Sequence, residues 1–220
     1  MRQSGLTFLA AVAVVAFHAT GADFATQAVE ATYKLFNKDS TATGIFFLPP
    51  AELKAAAGQL ILVTADHVFS KMSGEKAIVV LRERKDDGSY VRRDWSIPIR
   101  AQNNALWTKH PDHDVAVIAI EPPPDVSLTA LPFQSLATDD TLTELKLHVA
   151  SPLCVLGFPT QFEANSAGFP VARHGSIASF PLSPVKLHKT FLADFTTFAG
   201  DSGGPVFATD VRLKEAAESA

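Results

Sequence analysis

Cysteine is almost absent from this chain. Of 220 residues only Cys154 carries a thiol, so no intramolecular disulfide can form. A domain without disulfides has to be held by its apolar core, and a hydrophobic content of 47% is enough for one. An excess of positive charge is missing too. Nineteen Lys and Arg against 23 Asp and Glu leave a net charge of −4, which speaks against nucleic acid or an anionic membrane surface as a partner. No apolar run reaches the roughly 20 residues that a membrane span takes, and no repeat of fixed period is present. No histidine lies beyond His188.

The longest apolar run, Leu6–Phe17, follows Arg2 and precedes the small residues Thr20-Gly21-Ala22. A basic start, an apolar stretch of about a dozen residues and a small-residue cleavage site make a secretory signal peptide. Residues 1–22 are therefore expected to be removed after Ala22, leaving a chain for export with no membrane span.

The remaining sequence is cut into short pieces by 14 prolines and 12 glycines, a pattern of strands and turns. Runs rich in Val, Ile, Phe or Tyr predict strands over Thr32–Phe36, Gly44–Leu48, Gln59–Thr64, Ala77–Arg82, Val91–Arg100 and Asp114–Ile120. Asp86-Asp87-Gly88-Ser89 is expected to be a hairpin turn. Glu121-Pro122-Pro123-Pro124-Asp125 then interrupts the pattern as an extended, solvated connection. A second set follows at Ser151–Gly157, Val171–Phe180, Val185–Leu187, Thr190–Phe195 and Pro205–Ala208, with a short helix expected in the tail, Val211–Ala220. Many short strands predict an all-β barrel or sandwich, and the proline break predicts two units.

Three segments carry chemistry. Gly200-Asp201-Ser202-Gly203-Gly204-Pro205 presents a serine on a turn whose backbone amides can face an oxyanion. A serine hydroxyl needs a base and an orienting carboxylate. Thr64-Ala65-Asp66-His67 upstream supplies an imidazole, and Asp114-Val115-Ala116-Val117 between the two supplies a carboxylate at the start of an apolar strand. The order His67, Asp114, Ser202 discriminates between folds. In α/β-hydrolases the acid and the histidine follow the serine, and here no histidine does. Asp112 is the rival acid. His110 and His113, which flank it, are taken as loop histidines rather than metal ligands.

With those motifs in that order, the sequence resembles the trypsin-like, chymotrypsin-fold serine peptidases, and in particular secreted bacterial members without disulfides. The resemblance covers roughly residues 30 to 208 and includes Thr43-Gly44-Ile45-Phe46-Phe47, Gly157-Phe158-Pro159 and Gly175-Ser176-Ile177. It implies an all-β fold of two antiparallel six-stranded barrels, the first over residues 23–125 with His67 and Asp114, the second over 126–220 with Ser202. It also implies a secreted or periplasmic endopeptidase acting on polypeptides through an acyl-enzyme. Ser202 would be the nucleophile, His67 the base and Asp114 its orienting partner, with the amides of Gly200 and Ser202 as oxyanion hole. No metal or cofactor is implied. The floor of the side-chain pocket falls on Thr196 and Thr197, whose neutral hydroxyls suit small, apolar or hydrogen-bonding residues rather than Arg or Lys.

Against the family pattern, the sequence after Ser202 is short, and the second barrel is expected to be incomplete. A truncated gene, strands supplied by a partner or second copy, and a self-sufficient short variant are the three explanations. The alternative function is a non-catalytic peptide-binding or remnant module that keeps the triad without a full substrate pocket. No new amino terminus is evident near Asp23-Phe24-Ala25 to pair with Asp201, so constitutive competence is expected. Expression in a secreting bacterium is predicted to yield a mature chain that begins at Asp23, which intact-mass analysis of the exported protein will check.

Overall fold

The structure, a computed structural model, describes residues 12–14, 23–53, 56 and 58–209. The expected tail helix lies outside these residues, as does the predicted leader apart from residues 12–14. In chain order the described strands are β1 (Val12–Val14), β2 (Thr32–Phe36), β3 (Thr41–Phe47), β4 (Leu60–Thr64), β5 (Lys76–Arg84), β6 (Tyr90–Pro98) and β7 (Arg100–Ala101). They continue with β8 (Asn104–Ala105), β9 (Thr108–Lys109), β10 (Ala116–Ile120), β11 (Pro152–Gly157), β12 (Val171–Ile177), β13 (Ala193–Asp194) and β14 (Pro205–Ala208). Three short α-helices accompany them, α1 (Phe24–Ala31), α2 (Asp66–Lys71) and α3 (Asp139–Glu144), with single 3-10 turns at Phe133–Ser135 and Pro159–Gln161.

The fold is all-β. One seven-stranded sheet runs β6-β5-β2-β3-β4-β10-β9, and one five-stranded sheet runs β1-β14-β11-β12-β13. Strands pair antiparallel except at β1, which lies parallel to β14 with Val12 opposite Pro205, and a single parallel bridge joins Phe47 to Leu131. Each sheet is open: no hydrogen-bonded pair joins its first strand to its last among the described residues. The β5–β6 hairpin turns at Asp86-Asp87-Gly88-Ser89 as expected, with Gly88 at φ 83°.

Three differences from the sequence reading have local causes. Val185–Leu187 is a turn, not a strand, because its donors are already taken: the Val185 amide donates to Asp139 Oδ1 at 2.8 Å, and the Leu187 and His188 amides close back on the Pro184 carbonyl. Residues 190–195 pair only at Ala193–Asp194. Helix α1 was not foreseen, although Asp23 caps it by accepting the Thr26 amide at 2.9 Å and Ala28 and Ala31 face inward. The Glu121–Asp125 connection lies at the surface, as its prolines suggest, and the segment after it turns inward. Val126, Leu128 and Ala130 pack on the seven-stranded sheet, and Leu131 bonds to both Phe46 and Leu48 through the backbone.

Period-two alternation divides the core into three. Phe46, with Tyr33, Leu35, Leu62, Leu81, Ile97 and Ile118, fills the inside of the seven-stranded sheet. Leu153, Val155, Ile177 and Val206 fill the inside of the other. The intervening residues of the same strands, Ile45 and Phe47 on β3, Cys154 and Leu156 on β11 and Phe207 on β14, meet in a third cluster. That cluster joins the sheets, which is why β3 is buried on both faces. Phe46 is fully buried, its ring edge-on to Tyr33 at 5.0 Å between centroids. Phe46→Ala is predicted to cost about 3–5 kcal/mol through lost burial and the cavity left behind, measured by denaturant unfolding.

Candidate active site

Strand β4, an interior strand of its sheet, delivers His67 just beyond its C-terminal end. The chain leaves β4 at Thr64 and enters α2 at Asp66, where buried Val68 and Phe69 seat the helix and the Trp107 indole donates to Asp66 Oδ1 at 2.8 Å. Strand β10 runs antiparallel to β4 with Ala116 opposite Thr64, so the residues just beyond those two ends run side by side. Asp114 thereby meets His67 twice. One carboxylate oxygen accepts the His67 backbone amide at 2.8 Å, and the other lies 2.5 Å from ring Nδ1. A carboxylate accepts and cannot donate, so Nδ1 carries the proton and Nε2 keeps its lone pair. Nε2 lies 2.9 Å from Ser202 Oγ, whose hydroxyl is the donor in this tautomer.

The structure thus brings His67, Asp114 and Ser202 into one hydrogen-bonded series. Asp112 stands outside it, exposed, with Lys189 Nζ at 3.8 Å. The rings of His110 and His113 lie 4.7 Å apart between centroids, tilted by 41°, and His110 Nδ1 accepts the amides of Asp112 and His113, which shapes their loop. Among the described residues no group of three His, Cys, Asp or Glu side chains converges on a metal position. Cys154 is buried between the sheets, and burial pushes its thiol up, the opposite of an activated nucleophile.

The serine turn is held from the other sheet. Thr43 on β3 donates its amide to the Ser202 carbonyl at 2.9 Å and its hydroxyl to the Gly200 carbonyl at 2.7 Å. The Thr43 carbonyl in turn accepts the Thr64 hydroxyl at 2.7 Å. Thr43, Thr64 and Gly200 are buried, and Ser202 is half-buried. Gly200 and Gly203 lie at φ 102° and 83°, and a Cβ on either would overlap backbone, that of Phe158 or of Thr43. Two donors stay unspent. Neither the Gly200 amide nor the Ser202 amide donates to another described residue.

Asp201 points away from the series and is fully buried. One of its oxygens lies 2.5 Å from Arg173 Nη2, and the other accepts the Phe198 amide at 2.7 Å. Arg173 also donates to the Thr196 carbonyl at 2.7 Å. A single guanidinium from β12 thus ties both ends of the segment 196–201. Nothing in the sequence singled out Arg173, which lies in an ordinary alternating strand. Thr43 and Thr64 sat inside motifs already recognised, but their hydroxyls had no assigned task. Thr196 and Thr197 are exposed, and Thr196 contributes its carbonyl while neither hydroxyl is hydrogen-bonded among the described residues.

The family comparison agrees with this architecture. Residues 42–213 match the family described as trypsin-like peptidase domain, and the chain belongs to that family. Among solved structures, it is similar to the crystal structure of Rv3671c from M. tuberculosis H37Rv, a serine-to-alanine mutant in an inactive form. The two share 17% identity and a TM-score of 0.47, over 83% of this chain and 70% of that one. No curated protein matches.

Removing one partner of a buried ion pair strands the other charge. Arg173→Met is therefore predicted to destabilise the fold by about 3–5 kcal/mol, and Asp201→Asn added to it should restore part of that loss. Denaturant unfolding of the single and double variants checks both.

Proposed function

We propose that this protein is an exported serine endopeptidase that cleaves polypeptides through an acyl-enzyme on Ser202. The observation that carries the reading is the unbroken hydrogen-bond series from Asp114 through His67 to Ser202 Oγ. Membership of the trypsin-like peptidase family supports it independently. His67 Nε2 takes the Ser202 proton as Oγ attacks the scissile carbonyl carbon, and Asp114 holds the ring and stabilises the imidazolium that forms. The carbonyl oxygen becomes an oxyanion that accepts from the Gly200 and Ser202 amides, the two donors that bond to nothing else described. As the tetrahedral intermediate collapses, His67 returns the proton to the leaving amine. Water, deprotonated by the same imidazole, then releases the acyl group and regenerates Ser202.

Asp201 supports constitutive competence. In family members switched on by cleavage, a new amino terminus pairs with the aspartate before the nucleophile. Here Arg173 already makes that pair from within the sheet. For substrate, the exposed Thr196 and Thr197 are the expected pocket residues, and their neutral hydroxyls favour small, apolar or hydrogen-bonding side chains over cationic ones.

The test is intact-mass analysis after a fluorophosphonate probe, on the mature chain and on Ser202→Ala. One adduct on the wild type, none on the variant, and loss of peptide hydrolysis in the variant with unchanged unfolding is the expected result. A folded wild type that binds peptides without turnover, equally well after Ser202→Ala, would instead identify a binding module.

A further inference from the structure

Lys34 is a buried cation that the chemistry above does not use. It lies on β2 with 8% of its surface exposed, directly opposite Thr43 in the β2–β3 register. Its Nζ donates to the Gln161 carbonyl at 2.9 Å and to Glu163 Oε1 at 2.6 Å. Arg92, from β6, grips both oxygens of the same Glu163 at 2.9 and 3.0 Å. Two strands of the seven-stranded sheet therefore hold one loop, residues 158–163, that follows β11 of the other.

That loop is strained where it is held. Thr160 and Gln161 lie at φ 50° and 71°, consecutive left-handed positions, and for a β-branched threonine this is costly. Such conformations persist only where the surroundings impose them. Their consequence falls on the serine turn. The Thr160 amide donates to the Ala199 carbonyl at 2.6 Å. Across a trans peptide the C=O and N–H point in opposite directions, so fixing the Ala199 oxygen toward Thr160 turns the Gly200 N–H the other way. The carbonyl of Gly200 itself is fixed by Thr43, the cross-strand neighbour of Lys34. Both peptide planes flanking Gly200 are thus set by one pair of opposed residues, Thr43 directly and Lys34 through the loop.

We propose that Lys34, braced by Glu163 and Arg92, is a positioning residue for the oxyanion hole: it holds Thr160 against the Ala199 carbonyl and so aims the Gly200 amide. The proposal rests on the reading of Ser202 as a nucleophile with the Gly200 amide as one of its oxyanion donors. A ground-state substrate needs that donor less than the transition state does, so loss of the brace should appear in kcat rather than KM.

The experiment takes Lys34→Met and Glu163→Gln in the mature chain, with Lys85→Met, an exposed lysine of the β5–β6 turn, as control. Two quantities are read in each: residue-resolved exchange of the Thr160 amide by NMR, and kcat and KM on a peptide ester. In Lys34→Met, Thr160 exchange is expected to rise at least roughly tenfold and kcat to fall roughly ten- to hundredfold, short of the 10²–10³ for deleting a whole donor, with KM within about twofold. Glu163→Gln should move both the same way by less, and it carries the test if Lys34→Met does not fold. Unchanged Thr160 exchange overturns the brace. Faster exchange with unchanged kcat overturns its role in positioning the amide. A wild type that hydrolyses nothing overturns the peptidase reading, and Thr160 exchange then still decides whether Lys34 holds the loop.

Discussion

Thr43 gives its amide to the Ser202 carbonyl and its hydroxyl to the Gly200 carbonyl, and on these two bonds the relation between the sheets at the site depends. His67 and Asp114 belong to the seven-stranded sheet, where the β4–β10 register sets their meeting. Ser202 arrives from the other sheet, one turn before β14. A hydrogen bond of 2.9 Å from imidazole to hydroxyl tolerates little displacement, so the sheets have to be registered against each other to within a fraction of an ångström. The apolar seam of Ile45, Phe47, Leu156 and Phe207 brings them together. Apolar contact is not directional, however. The direction comes from Thr43, with Thr64 locking the Thr43 carbonyl behind it.

With no disulfide available, other devices secure the loops around this junction, and three are cations: Arg82 and Lys34, which are buried, and Arg173, which is half-buried. Arg82 is sandwiched between the rings of Tyr33 and Phe169 at 4.2 and 4.5 Å and donates to the carbonyls of Glu30 and Gly168. Burial lowers its pKa, but a guanidinium starts so high that it stays charged. It joins the end of α1 and the loop before β12 to the middle of β5. Lys34 does the same for residues 161–163, and Arg173 for residues 196–201. Each reaches a backbone carbonyl. A long cationic side chain can span from a strand to an irregular loop and satisfy a carbonyl that no ladder serves, which suits a fold whose site is made of turns.

The legible part of the chain was the part governed by local rules. Alternation and turn residues located β2 and β14 to the residue and most other strands within a few positions, because a half-buried strand writes its faces into its sequence. His67, Asp114 and Ser202 were legible because their neighbours are constrained too: glycines where a Cβ would strike backbone, and an apolar strand after the acid. The failures had the same logic reversed. Val185–Leu187 has strand-like residues, but its chain closes into a turn on the Pro184 carbonyl, and α1 is too short for a clear helical period. Arg173 and Lys34 were silent, since each acts on a segment distant in the sequence and a lone cation in a strand carries no mark of its destination.

What the sequence by itself determined is the chemistry on offer: a serine on a glycine turn, a histidine, an aspartate at a strand start, and alternating apolar faces that demand two sheets. Those are properties of short windows, in which side-chain size, backbone freedom and period decide the outcome. Tertiary structure alone decided which hydroxyls hold the serine turn, which cation answers Asp201, and which cation braces the loop after β11. Asp114 opens an apolar strand and Asp112 does not, which favoured it in sequence, but Arg173 and Asp201 lie 28 residues apart with nothing local to link them. Such choices depend on distances between segments far apart in the chain, and these exist only once the seam between the sheets has closed.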